Sequence, residues 1–117
     1  MIPLYQRKAE FFRTLGHPVR IRVLELLGNG PMAVKDLLAD VDIEASSLSQ
    51  QLAVLRRAGI VTSHREGAAV MYALAGPDVA DLMLAARRFI TDMLSRQAEL
   101  LDALRDADDE APVPGTR

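Results

Sequence analysis

The sequence predicts a mainly α-helical α+β domain, four helices, then a β-hairpin, then a long last helix, in the order α-α-α-α-β-β-α. Three observations predict it. Apolar residues recur at helical spacing in four stretches before Gly59. Just after Gly59 two short β-branched and apolar runs flank a second glycine. Beyond Pro77 the helical period returns and persists as far as Leu104.

Leu4, Phe11, Phe12 and Leu15 share one face of a first helix starting at Pro3, which Gly16 stops. Pro18 suits the first position of a second helix, whose Val19, Val23, Leu24, Leu26 and Leu27 continue an apolar face until Gly28-Asn29-Gly30-Pro31 ends it. A short third helix starts at Ala33 and reaches Leu38 or beyond, with Val34, Leu37, Leu38 and Val41 inward, and Asp42-Ile43-Glu44 is a tight link. The fourth helix, Ser46 to Arg57, packs through Leu48, Leu52 and Leu55 and is closed by Gly59 as a left-handed stop. Ile60 to Arg65 and Val70 to Leu74 are the strands of the hairpin, and Gly67 supplies the positive φ of its turn. In the last helix Leu82, Ala86, Phe89, Met93, Leu100 and Leu104 fall near alternating three- and four-residue steps, a stripe that wants a partner helix. From Ala107 onward there are two prolines and no apolar period, so residues 1–106 are expected to form one domain and 107–117 a disordered acidic tail.

Composition narrows the functional classes. A chain of 117 residues with 50% hydrophobic and 4% aromatic content is one small helical domain. So small a domain buries a modest share of its surface, and association with a second copy is expected to add stability. No apolar run approaches the roughly 18 residues of a membrane span, and MIPLYQRKAEFF lacks the apolar core of a signal peptide, so no membrane partner and a cytoplasmic location are expected. With Cys 0 there is no disulfide and no thiolate metal site. The net charge of −2 conceals an uneven distribution. Five of the 16 acidic residues but only two of the 14 basic ones lie beyond Leu100, which leaves residues 1–100 at +1.

The fourth helix and the strand after it carry the strongest functional signal. Ser46, Ser47, Ser49, Gln50 and Gln51 lie on the faces that the leucine stripe leaves free. Short hydroxyls and amides hydrogen-bond to base edges and phosphate oxygens and approach a groove closely. From Ala45 to Arg65 there is no carboxylate, while Arg56, Arg57 and Arg65 are present. That is the electrostatic footprint of a surface that meets a polyanion. Helix, short turn, helix, then a hairpin tipped by Arg65-Glu66-Gly67 is the layout of a reading helix with a wing beside it.

Three segments, in order, resemble the ArsR/SmtB family of winged helix-turn-helix repressors. His17-Pro18-Val19-Arg20-Ile21-Arg22-Val23-Leu24 is similar to the family's D-P-T-R-L-x-I-L. The stretch SSLSQQLAVLRRAG, Ser46 to Gly59, resembles the recognition helix S-x-V-S-x-H-L-x-x-L-x-x-A-G, and Arg65-Glu66-Gly67 followed by Tyr72 resembles the R-x-G wing and its tyrosine. The resemblance covers roughly residues 5 to 105. It implies a homodimer joined through the first and last helices, with two recognition helices in successive major grooves of an inverted-repeat operator in double-stranded DNA. Carried over by position, Ser46, Ser47, Ser49, Gln50, Gln51, Arg56, Arg65 and Gly67 are the expected DNA-binding residues. Leu4, Phe11, Leu82, Phe89, Met93 and Leu100 are the expected dimer interface. Three departures bear on specificity: Gln51 replaces a frequent histidine, Ala45 stands where a polar contact often lies, and Ala68 follows the wing glycine.

The family's metal chemistry does not carry over. Its C-x-C-D-L thiolate site aligns with Ala33-Val34-Lys35-Asp36-Leu37, and the last helix has no histidine, so no metal and no cofactor are expected. Asp78, Asp81 and Asp92 read as helix N-terminal charge and solvated face. His17 is read equally as a helix cap, a phosphate contact or plain surface. His64 reads as an exposed cross-strand partner, Arg20 and Arg22 as DNA clamps, with Arg20 read equally as the partner of a carboxylate that fixes the dimer. Arg87-Arg88 reads as a solvated face ahead of a site for an anionic effector, and Met71 and Met93 as core or interface packing ahead of a redox sensor. Lacking cysteine, a glycine-rich phosphate loop and any His-Ser-Asp set, the chain is expected not to be an enzyme. A non-thiol signal is the expected modulator, with no effector assigned. The alternative is a winged-helix module that binds another protein, which the Ser/Gln face disfavours because such surfaces use aromatic and apolar anchors.

Overall fold

The computed structural model describes residues 1–110. Its elements run α1 (Leu4–Leu15), α2 (Pro18–Leu27), β1 (Met32–Ala33), α3 (Val34–Asp40), α4 (Ala45–Arg57), β2 (Val61–Glu66), β3 (Ala69–Leu74) and α5 (Asp78–Glu110). The expected order of helices and hairpin is present, with one addition. Met32 and Ala33 pair antiparallel with Tyr72 and Met71, making a three-stranded sheet in the order β1-β3-β2. Two residues are too few to display an alternating pattern, so only pairing with the free edge of β3 makes them a strand.

Local chemistry sets the helix ends. His17 Nδ1 accepts the Val19 N–H at 3.1 Å, and Pro18 occupies the first turn, where its missing N–H costs nothing. Of the three readings of His17, the structure shows the cap. At the end of α4, Gly59 takes φ +76, the Ile60 N–H reaches the Leu55 carbonyl at 3.0 Å and the Gly59 N–H reaches that of Arg56 at 3.0 Å. These paired bonds form a Schellman stop, which swings the chain into β2 and buries Ile60.

Residues 1–83 form one compact unit and residues from Leu84 onward a second. In the first unit, Val23, Leu24, Leu26 and Leu27 of α2 meet Leu37, Leu48, Leu52, Leu55, Val61 and Tyr72 in one core that holds no buried polar side chain among the described residues. Each such leucine contributes on the order of 1.5–3 kcal/mol by leaving water. Val79, Leu82 and Met83 of the first turns of α5 pack against this core, as does Phe11. Phe11 and Leu82, expected at a dimer interface, are therefore half-committed to their own subunit. Leu4 is 67% exposed.

In the second unit, α5 continues as a helix carrying Phe89 at 70% and Leu100 at 62% exposure, with Met93, Leu94 and Leu104 also open. It ends at Glu110, four residues past the expected domain boundary, since neither proline nor glycine interrupts 107–110. The remainder of the expected tail, 111–117, lies outside the described residues.

Candidate nucleic-acid interface

α3, the link Val41 to Glu44 and α4 form the helix-turn-helix. Leu48, Leu52 and Leu55 are sealed against the core, which orients the rest of α4. Ser46, Ser49 and Gln50 are exposed, whereas Ser47 and Gln51 are half-buried. Arg56 and Arg57 are exposed in the last turn, where cations also suit the helix dipole. Arg56 thus stands about 15 Å along the axis from Ser46. The structure brings Ser46, Ser49 and Gln50 together at one end of the helix and leaves Arg56 at the other.

The wing is the β2-β3 hairpin, closed by Gly67-Ala68 between the paired residues Glu66 and Ala69. Gly67 has φ +61 and Ala68 does not have a positive φ, the pattern of a II′ turn, which matches the twist of the strands. Arg65 lies opposite Val70 and is exposed near the tip. Glu66 lies 3.8 Å from His64, so His64 faces a neighbour on its own strand. Among the described residues, Arg56, Arg57 and Arg65 have no carboxylate partner, and the charge of this surface is not neutralised from within.

Arg20 has no carboxylate partner among the described residues and is engaged elsewhere. Its Nε donates to Gln51 Oε1 at 2.8 Å and its Nη1 to the Thr14 carbonyl at 2.9 Å. One guanidinium thereby ties the end of α1 and the head of α2 to the middle of α4. Gln51, expected only as a DNA contact, has its carbonyl oxygen committed to Arg20, and its amide N–H groups remain as donors. Arg22 is engaged by Asp40 at 3.1 Å and Glu25 at 3.8 Å. Sequence reasoning missed the Arg20–Gln51 bond; the available signal was a glutamine in place of histidine on a helix that faces the arginine of the α2 motif.

The donor sets of the family's metal sites do not fit this chain. Residues 33–37 contain no sulfur, and His17 Nδ1 is occupied as a cap. Among the described residues, no three His, Asp or Glu side chains converge on a possible ion. No described helix is long and apolar enough to cross a membrane.

A family model described as a helix-turn-helix domain matches residues 15–64, from the end of α1 into β2. The HTH-type transcriptional regulator Rv0081 of Mycobacterium tuberculosis is 52% identical over 104 residues, 88% of this chain and 91% of the relative. The chain belongs to the ArsR/SmtB family. The biofilm growth-associated repressor of Agrobacterium fabrum is 39% identical over 86 residues, covering 70% of this chain and 74% of the repressor. The crystal structure of M. tuberculosis Rv0081 superimposes with a TM-score of 0.75 over 84% of this chain and 99% of that one. The solution structure of the homodimeric winged helix-turn-helix DNA-binding domain of Mb0332 from Mycobacterium bovis, 28% identical, gives 0.72 over 80% of this chain and 86% of that one. This ArsR/SmtB protein is therefore a winged helix-turn-helix, DNA-binding transcriptional regulator and not an enzyme.

Proposed function

We propose that the protein is a homodimeric repressor that reads an inverted-repeat operator through Ser46, Ser49 and Gln50 of α4, with Arg65 and the Gly67 turn of the wing on the flanking backbone. The observation that carries this reading is the exposed hydroxyl and amide face of α4, continuous in sequence with arginines that have no carboxylate partner among the described residues. Ser47 supports the same face, Gln51 offers its remaining N–H groups, and Arg56 serves a phosphate at the far end of the helix.

The dimer follows from α5. An isolated helix that leaves Phe89, Leu94, Leu100 and Leu104 in water gains by covering them with a second copy, and Leu4 adds to that apolar surface. The Mb0332 domain, which is homodimeric, and the Agrobacterium relative, which is a repressor, support the reading. The regulator acts in the cytoplasm, on DNA, and responds to a signal that needs no thiol.

Sedimentation with and without promoter fragments, followed by footprinting at physiological salt, tests it. A dimer protecting two half-sites about one helical turn apart is the expected result. A monomer, or binding without sequence preference that disappears at physiological salt, contradicts it.

A further inference from the structure

A half-open cleft of about 460 Å³ lies between the start of α3, Ser49 and Leu52 of α4, and the stretch of the wing that runs from its turn along β3 to Tyr72. Seven of its nine lining residues are Ala, Val, Leu or the Tyr72 ring; the other two are Lys35 and Ser49. Small residues make the space: Ala33 on one wall, Ala68 and Ala69 on the other.

Tyr72 is the informative residue. It is only 8% exposed, yet its hydroxyl has no hydrogen-bond partner among the described residues. Among the described residues no unpartnered side-chain oxygen is fully sealed from solvent, so this hydroxyl opens to water although its ring is part of the core. The Ser49 hydroxyl is likewise unpartnered, and Lys35 has no carboxylate partner among the described residues. Three side chains with donors that have no partner among the described residues, one of them cationic, thus line a mostly apolar cleft.

We infer that this cleft binds a small amphiphilic carboxylate, its apolar or aromatic body against the half-buried Val34, Ala69 and Val70 and its carboxylate on Tyr72, Ser49 and Lys35. The volume lies in the range of small-molecule sites, which are mostly apolar with a few placed polar groups. A phosphodiester fits the lining less well, because its charged oxygens would lie against methyl groups with too few donors to replace their water. Ser49 is also a proposed base contact, so an occupant of the cleft excludes the operator. The site therefore deepens the proposed function by naming the class of signal, and it rests on that reading only for its effect on DNA. Linkage requires that operator and ligand weaken each other by the same factor.

The test uses the full chain, isotope-labelled, titrated with 2-naphthoate in the absence of DNA and followed by amide chemical shifts. Saturable shifts centred on Ser49, Leu52, Val70 and Tyr72 are expected, with the neutral isostere 2-naphthamide binding much more weakly. Tyr72→Phe keeps the ring in the core and should weaken naphthoate by about tenfold, the order of a hydrogen bond to a charged group, with an unchanged melting temperature. Lys35→Ala should weaken it similarly. In a second arm, naphthoate should release an operator fragment from the wild-type protein and not from Tyr72→Phe at the same concentration.

No saturable shift up to the solubility of the probe overturns the proposal, as does equal binding of the amide or unaltered binding by Tyr72→Phe. If both variants instead lower DNA affinity, Lys35→Ala with a smaller salt slope, while naphthoate does not bind, the cleft seats a backbone phosphate and the proposal is wrong. Because the first arm contains no DNA, normal naphthoate binding by a protein that ignores every operator supports the site and removes the repressor reading alone.

Discussion

Replacing Arg20 by Met tests whether one guanidinium fixes the reading helix. The residue donates two half-buried hydrogen bonds, at 2.8 Å to Gln51 Oε1 and 2.9 Å to the Thr14 carbonyl. A bond from a charged donor is worth roughly 1.5–3 kcal/mol, and partial exposure with the cost of ordering an arginine puts each at or below the lower end. Arg20→Met should therefore cost about 2 kcal/mol and Gln51→Met about 1 kcal/mol. The double variant should cost about 2 kcal/mol, because the second change removes a bond already lost, a coupling of about 1 kcal/mol. Urea unfolding at one fixed protein concentration reads this as shifts in midpoint at constant slope. Additivity within about 0.3 kcal/mol would refute an energetic link between α2 and α4. The same variants separate positioning from contact. Arg20→Met should weaken operator binding while the salt slope holds, whereas loss of a phosphate contact lowers that slope by about one.

Ser49→Ala and Gln50→Ala should each cost on the order of 1–3 kcal/mol in specific binding and alter base preference, read by competition against operator variants; unchanged preference in both removes them from the base contacts. Arg65→Ala should weaken binding to all sequences alike and reduce the salt slope by about one unit, and an unaltered slope removes it from the backbone contacts. Phe89→Glu places a charge in the exposed apolar stripe of α5 and should dissociate the proposed dimer in sedimentation; an intact dimer would move the interface elsewhere.

Most of the fold was legible because its determinants are local. The Leu48-Leu52-Leu55 stripe, Pro18 at a helix start, Gly59 at a helix stop and Gly67 in a tight turn each act within a few residues of themselves. What was not legible is tertiary. β1 exists only through its pairing with β3, and nothing in Met32-Ala33 alone distinguishes a strand from a loop. The extension of α5 through 107–110 went unread because acidic residues near a helix C-terminus oppose its dipole, yet no breaker intervenes. At the candidate site, the outward placement of Ser46, Ser49 and Gln50 follows from helical periodicity. The bond between Arg20 and Gln51, 31 positions apart, does not, since no periodicity relates residues on different helices.

β1 passes into α3 without a single intervening residue, Ala33 closing the sheet and Val34 opening the helix. The hairpin and the helix-turn-helix are consequently geared together: a tilt of one cannot be absorbed by slack before it reaches the other. On the proposed reading the molecule then works as a ruler, holding constant the distance between the groove it enters and the strand backbone it grips alongside. Within each half-site the interval between those two footholds is set by the protein, and lengthening the chain at Ala33-Val34 would recalibrate it.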